Sequence, residues 1–239
     1  MGKPAAYMRL YEQLKQDIRT GKYPVGDLLP TETELEQMFG VSRTTVRRAM
    51  KALSDDGLAD IKQGRGTMVC NFRTTQDLSK VTSVTESLRK KGYAVRTKSI
   101  YIDVIAANEK LSGELQLPFG DRLVRVQRVQ LADEKPVALM TNYIPYALVP
   151  QMEQTSESFS ALYQFLERRY GITIDAAKDS IWAKASDFAE SEMLDVPVGT
   201  ALLCIRRLCF HEKQPVCLDM VKILGNQYEL ENFMSGRLK

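Results

Sequence analysis

GVSRTTVRRAMKALSDDG, residues 40–57, decides the fold of the N-terminal third of this 239-residue chain. Ser42 offers a hydroxyl of the kind that caps a helix start. At about 100° per residue, Val46, Ala49, Met50 and Leu53 then share one face, while Thr44, Arg47, Arg48 and Lys51 share the other and Arg43 lies in the exposed first turn. The predicted helix is apolar behind and basic in front. No acidic residue lies between Glu36 and Asp55, so nothing nearby along the chain offsets these cations. A merely solvated basic face usually interleaves acids for i,i+4 pairing.

Upstream, Gly40 ends another helix, whose start at Thr31 reads T-E-T-E, a pattern in which Thr31 and Glu34 cap each other's backbone donors. Its apolar positions are Leu35, Met38 and Phe39. A two-residue connection forces these helices to cross rather than run side by side. Further upstream, Tyr7, Leu10, Tyr11, Leu14 and Ile18 recur at helical spacing over residues 4–20, and Gly21 follows as a stop. Downstream, Gly57 closes the basic helix, and residues 58–61 and 67–69 read as two short strands about the turn Lys62-Gln63-Gly64-Arg65-Gly66. A hairpin in that place is a wing, and glycines at its tip let the backbone come close to a phosphate or enter a minor groove.

Composition agrees with a nucleic-acid partner for this third alone. The chain is 44% hydrophobic and 26% charged, with a net charge of +3, as an ordinary globular protein is. Residues 1–75 hold 12 Lys and Arg against 9 Asp and Glu, and the rest holds 21 of each. All of the basic excess therefore sits beside the basic helix, where it can release counterions from phosphates. No apolar run approaches the length of a membrane span, and residues 1–9 lack the apolar core of a signal peptide, so a cytoplasmic protein is expected. Cys70, Cys204, Cys209 and Cys217 are too few and too irregular for a disulfide framework and read as small buried hydrophobes.

The run LPTETELEQMFGVSRTTVRRAMKALSDDGLADIKQGRGTMV resembles the DNA-binding domain of the GntR family of repressors, a winged helix-turn-helix. The resemblance covers the N-terminal third with cap, turn, basic helix and wing in order. It implies that Arg43, Thr44, Thr45 and Arg47 contact base edges or phosphates in a major groove, and that Gln63, Gly64 and Arg65 reach the minor groove. Arg48 and Lys51 suit phosphates. Thr33 stands where family members commonly carry an arginine, so a contact from that position is not expected here.

Polar residues 71–78 have no clear period and are read as a linker between a DNA-binding domain, 1–70, and a second domain, 79–239. The second domain contains an ungapped repeat at an offset of 79: GDRLVRVQRVQLADEKPVAL from Gly120 aligns with GTALLCIRRLCFHEKQPVCL from Gly199. Pro118/Pro197, Leu123/Leu202, Arg128/Arg207, Pro136/Pro215 and Leu139/Leu218 are among the identical pairs. Each copy reads as a strand (98–104; 179–185), a short helix (107–115; 188–194) and a hairpin, and further helices fit 78–91 and 160–170. The expected fold is α+β: an antiparallel sheet with helices on one face, a pseudo-twofold axis and a cleft between the halves.

This part resembles the UTRA effector-binding domain of the HutC branch of the GntR family, which shares its fold with chorismate lyase. The stretches VTSVTESLRKKGY, RVQRVQLADEKPVALMTNYIP, ALYQFLERRYGI and LLCIRRLCFHEKQPV carry the resemblance. It implies a pocket for a phosphorylated sugar or another small metabolite. Ser83 and Thr85 match hydroxyl positions at a helix start, Arg128 an anion-pairing arginine, and Tyr163 and Tyr228 aromatic pocket positions. Gln130, Met140 and Cys217 depart from the family's second arginine and two glutamates, and Asp219 is the carboxylate that remains to serve.

The family reading implies a homodimer on a near-palindromic operator, with no membrane, metal or cofactor. Two alternatives stand beside a metabolite-controlled repressor: a dimeric DNA-binding protein that senses nothing, and a small-metabolite enzyme of lyase-like fold. Against the enzyme, the only histidine, His211, falls in a polar turn, and Cys204 and Cys209 fall on opposite faces of one strand, unsuited to joint zinc ligation.

Overall fold

A computed structural model describes residues 5–56, 58–62, 65–70, 74–155 and 159–236, without the Arg19 side chain. The chain forms two units, Met1–Arg73 and Thr74–Lys239. Gly57, and Gln63 and Gly64 of the wing tip, lie outside the described residues.

In the first unit, helix α1 (Ala6–Arg19) precedes α2 (Glu32–Phe39) and α3 (Arg43–Asp55). The expected caps form. Thr31 and Glu34 close a capping box, with the Thr31 N–H donating to Glu34 Oε2 at 2.7 Å, and the Thr45 N–H donates to Ser42 Oγ at 3.3 Å. Gly40, at φ +61°, supplies the left-handed residue that ends α2. Strands β1 (Ala59–Lys62) and β2 (Gly66–Val69) make the antiparallel hairpin. One core of Leu10, Leu14 and Ile18 from α1, Leu35 from α2, Val46, Ala49, Met50 and Leu53 from α3, and Leu58 and Val69 beside the hairpin ties these elements together. Met38, one of the apolar positions of α2, points outward at 56% exposure.

The second unit begins earlier than expected. Thr74–Asp77, placed in the linker by their polarity, form strand β3, which pairs in parallel with β10 (Tyr228–Glu231). Thr74 and Gln76 alternate inward. Helix α4 spans Val84–Lys90, shorter than the 78–91 expected, because Ser83 and Glu86 cap it in a second box. The main sheet has six antiparallel strands: β4 (Val95–Ala106), β5 (Arg122–Ala132), β6 (Lys135–Pro145), β7 (Ala176–Ala185), β8 (Ala201–His211) and β9 (Gln214–Leu224), in the order β4-β5-β6-β9-β8-β7.

The repeat is visible in the backbone. Asn108 and Asp187 cap α5 (Glu109–Leu115) and α7 (Phe188–Leu194), Gln116 and Asp195 end them in the left-handed region, and bulges follow Gln130 and Cys209 at equivalent places. The two tight turns carry paired positive φ values at Asp133-Glu134 and Glu212-Lys213, as two-residue hairpins require.

Helices cover both faces of this sheet, which corrects the one-face expectation. Helices α4 and α6 (Leu162–Tyr170) pack on the face of Val126, Ile144, Ile205 and Val221, while α5 and α7 pack on the face of Leu123, Leu139, Leu202 and Leu218. Strands β5 and β9 are accordingly buried along most of their length rather than at alternate positions, as strands covered on both faces are.

On the α7 side, Glu190 is 4% exposed and accepts hydrogen bonds from Lys184 at 2.8 Å, Lys222 at 2.5 Å and the Asp187 N–H at 3.0 Å. Burial pushes its carboxyl up, but the two lysines and the amide outweigh burial and hold it at about 2, against an ordinary 4.5. A depressed carboxyl stabilises fully above its unfolded value and loses that contribution as pH falls toward the folded value. About 3 kcal/mol is at stake. In urea melts, the stability gap between wild type and Glu190→Gln should close between about pH 5 and pH 2. A constant gap would contradict this.

Candidate nucleic-acid interface and effector cavity

In the first unit, α3 turns Val46, Ala49, Met50 and Leu53 into the core, which leaves Arg43, Thr44, Arg47, Arg48 and Lys51 exposed on the opposite face. Thr45 is half-buried, its hydroxyl 2.9 Å from that of Ser42. Arg65 is exposed beside the wing tip. The guanidinium of Arg48 lies 3.9 Å from the centroid of the Tyr7 ring, a stacking that fixes its direction.

The basic face is not free of acids, contrary to the reading along the chain. The crossing of α2 over α3 brings Glu32 to Arg43, whose Nε donates to Oε2 at 3.1 Å, and within 3.6 Å of Arg47 Nε. Lys51 pairs with Asp55 at 3.0 Å. These pairs are solvent-exposed, so each contributes under about 1 kcal/mol.

In the second unit, the polar groups of the α4/α6 face meet in one internal space of about 30 Å³, room for about one water. Ser83 and Thr85 from the start of α4, Arg128, Tyr163 and Asp219 line it, as the sequence suggested. Tyr228 and Gln130 do not. Tyr228 is buried and donates to Gln76 Oε1 at 2.8 Å, and Gln130 ties α4 to β4 by accepting from Thr85 at 3.3 Å and donating to Arg96 O at 2.7 Å. Gln76, Asn142 and Arg207 also line the space and were not singled out as pocket residues.

The two repeat-related arginines have different surroundings. Arg207 faces Asp179 across the β7–β8 pair and is gripped at both Nε and Nη2 at 2.7 Å. Burial opposes its charge, but the Asp179 fork outweighs burial and raises its pKa. At the equivalent place on β4 stands Ile100, opposite Arg128. Arg128 therefore makes no ion pair with any described residue. It donates Nη1 to Ser160 O at 3.1 Å and Nη2 to Asn142 Oδ1 at 3.0 Å, and its buried Nε–H has no partner. Burial pulls its pKa down to about 10 against the attraction of Asp219.

Asp219 is that counter-charge at one remove. It accepts from Asn142 Nδ2 at 2.6 Å, Cys217 Sγ at 2.9 Å and Tyr163 Oη at 2.5 Å. Burial keeps the Tyr163 phenol and the Cys209 and Cys217 thiols protonated by raising their pKa values. With its oxygens so engaged, Asp219 holds the wall together instead of facing a ligand, which revises the reading of it as a sugar-hydroxyl acceptor. The Ser83 hydroxyl likewise donates to Glu86 Oε2 at 3.0 Å, so the start of α4 already holds its own carboxylate.

A winged helix with an exposed arginine face, joined to an α+β unit around a polar internal space, defines a ligand-responsive DNA-binding regulator. Residues 6–69 match the bacterial regulatory proteins of the gntR family, and residues 90–229 match the UTRA domain. The chain belongs to the GntR family, with a UTRA domain, and is a metabolite-controlled DNA-binding transcription regulator. Among its relatives, the HTH-type transcriptional repressor NagR of Bacillus subtilis is 31% identical over 85% of this chain and 84% of its own. The mannosyl-D-glycerate transport/metabolism system repressor MngR of Escherichia coli is 33% identical over 76% and 75%. The crystal structure of PhnF from Mycobacterium smegmatis, at 24% identity, superposes with a TM-score of 0.67 over 95% of this chain and 100% of that one, a likeness of fold. Among the described residues, no helix is long and apolar enough to cross a membrane.

Proposed function

We propose that this chain is a cytoplasmic repressor that binds a near-palindromic operator as a homodimer and whose operator affinity is set by a small anionic metabolite, a phosphorylated sugar foremost, held at Arg128. The observation that carries the effector half is the broken symmetry of the repeat: one buried arginine is neutralised by Asp179, and its mate, which lines the cavity, keeps a buried Nε–H without a partner. An unsatisfied buried donor is costly, and an acceptor from a ligand removes that cost. A relative named for mannosyl-D-glycerate transport and metabolism, MngR, supports the metabolite class.

A space of about 30 Å³ is well under the roughly 300 Å³ of an ordinary ligand site, so binding favours an arrangement in which α4 or α6 moves off the sheet. Gln76 on β3, three residues past the unit boundary, lines the same space. A shift of that wall reaches segment 71–78 directly and redistributes the orientations of the DNA-binding units. The protein acts by binding and not by catalysis, and two half-sites a helical turn or a multiple of it apart, about 34 Å per turn, suit its dimer.

In the DNA half, Arg43 and Arg47 read base edges with Thr44 and Thr45, Arg48 and Lys51 hold phosphates, and the wing residues Gln63, Gly64 and Arg65 reach the minor groove. On an operator selected from a random duplex pool, Arg47→Ala should lose about 1–3 kcal/mol of discrimination. Lys51→Ala should weaken every sequence alike and lower the salt slope by about one. Equal operator affinity for wild type and Arg47→Ala in a gel-shift titration would remove Arg47 from base reading.

A further inference from the structure

Arg43 and Arg47 stand one turn apart on α3, their side chains about 70% exposed, and a single carboxylate sits between them. Glu32, the first residue of α2, gives Oε2 to Arg43 Nε at 3.1 Å and turns Oε1 toward Arg47 Nε at 3.6 Å. The other two cations of the face are tethered elsewhere, Arg48 over the Tyr7 ring and Lys51 on Asp55. Glu32 is thus the one described acid placed on both arginines that read bases under the proposed function.

We propose that Glu32 is a specificity-determining residue, an internal competitor with DNA phosphates for Arg43 and Arg47. The inference rests on the DNA-reading role given to those arginines above. On a random duplex, each arginine can gain only a phosphate contact, and the carboxylate already supplies a comparable one, so the exchange yields little. On the operator, a carboxylate held at Nε leaves the two terminal nitrogens of each guanidinium free for the two acceptors of a guanine edge, so its pairs need not be given up there. Glu32 also cancels part of the repulsion between two like charges one turn apart, and so keeps both guanidiniums directed outward from α3. Its net effect is to lower non-specific affinity more than specific affinity.

The test is fluorescence anisotropy of the full-length chain on a random-sequence 20-base-pair duplex and on the selected operator, each over a salt series. Wild type is compared with Glu32→Gln and with Asp27→Asn, a change of the same charge at an exposed acid of the same unit. Glu32→Gln should bind the random duplex about 3- to 10-fold more tightly at low salt and steepen the slope of log K against log salt by up to about one. Its operator-to-random ratio should fall by a similar factor, with Asp27→Asn close to wild type on both counts. Equal behaviour of the two variants would reduce Glu32 to its bulk charge and overturn the proposal, as would weaker random-duplex binding by Glu32→Gln. Failure of wild type to bind either duplex would overturn the DNA reading itself, and this inference with it.

Discussion

Asp219→Asn should destabilise the second unit by about 3–5 kcal/mol, the cost of leaving a buried charge uncompensated. Arg128 is 5% exposed, and among the described residues the acid that balances it in the cavity is Asp219, relayed through the Asn142 amide. The other buried ion pair, Arg207 with Asp179, is closed on itself and cannot serve. Asparagine keeps the shape of the side chain but supplies one acceptor where the donors of Asn142, Tyr163, Cys209 and Cys217 converge, so a donor such as Tyr163 or Cys217 also loses its partner. In thermal unfolding of the full chain, the expected shift is roughly 6–20 °C for a domain of this size. Restoration of most of that loss in the double variant Asp219→Asn with Arg128→Met would confirm that the cost is electrostatic. A single variant within about 0.5 kcal/mol of wild type would mean that the cavity is wetter and less coupled than described.

Leu53→Ala carries the second large effect. Leu53 is fully buried where α3 packs in the core shared with Leu10, Leu14, Leu35 and Val69. Truncating a leucine in such a place costs about 2–5 kcal/mol, transfer and cavity together, and a domain of about 70 residues seldom has more than about 3–5 kcal/mol to lose. The full-length variant should lose duplex binding at a temperature more than about 10 °C below wild type. Met38→Ala, at an exposed apolar position of the same unit, should stay within about 0.5 kcal/mol of wild type. Comparable losses in the two variants would contradict the core assignment.

The first unit was legible because its signals are local. Thr31 with Glu34, Gly40 and Ser42 mark helix ends within a few residues, and each forms its cap. What was missed there depends on the crossing of two helices: Glu32 is 11 residues from Arg43 along the chain yet within hydrogen-bond distance of it. In the second unit, the repeat predicted two equivalent halves, and the caps, turns and bulges repeat accordingly. The helices on both faces were misjudged because strands buried on both sides lose the alternation from which a face is read. Polar Thr74–Asp77 concealed a strand for the converse reason, since their partner β10 lies about 150 residues away. The difference between Arg128 and Arg207 lies in Ile100 and Asp179, upstream of the aligned repeat, and is set by strand register, which places those residues opposite the arginines.

Control of DNA binding by a metabolite is tested most directly on the full-length wild-type chain. Thermal shift against a panel of hexose 6-phosphates, sugar acids and inorganic phosphate identifies a stabilising compound, and operator affinity is then measured with and without it. At 100 times its dissociation constant, a ligand of the folded state contributes about 2.7 kcal/mol. The account predicts a stabilising organic anion that also changes operator affinity at least about fivefold. No stabilisation by any compound, with operator affinity unchanged throughout, would contradict it and describe a DNA-binding protein that senses nothing.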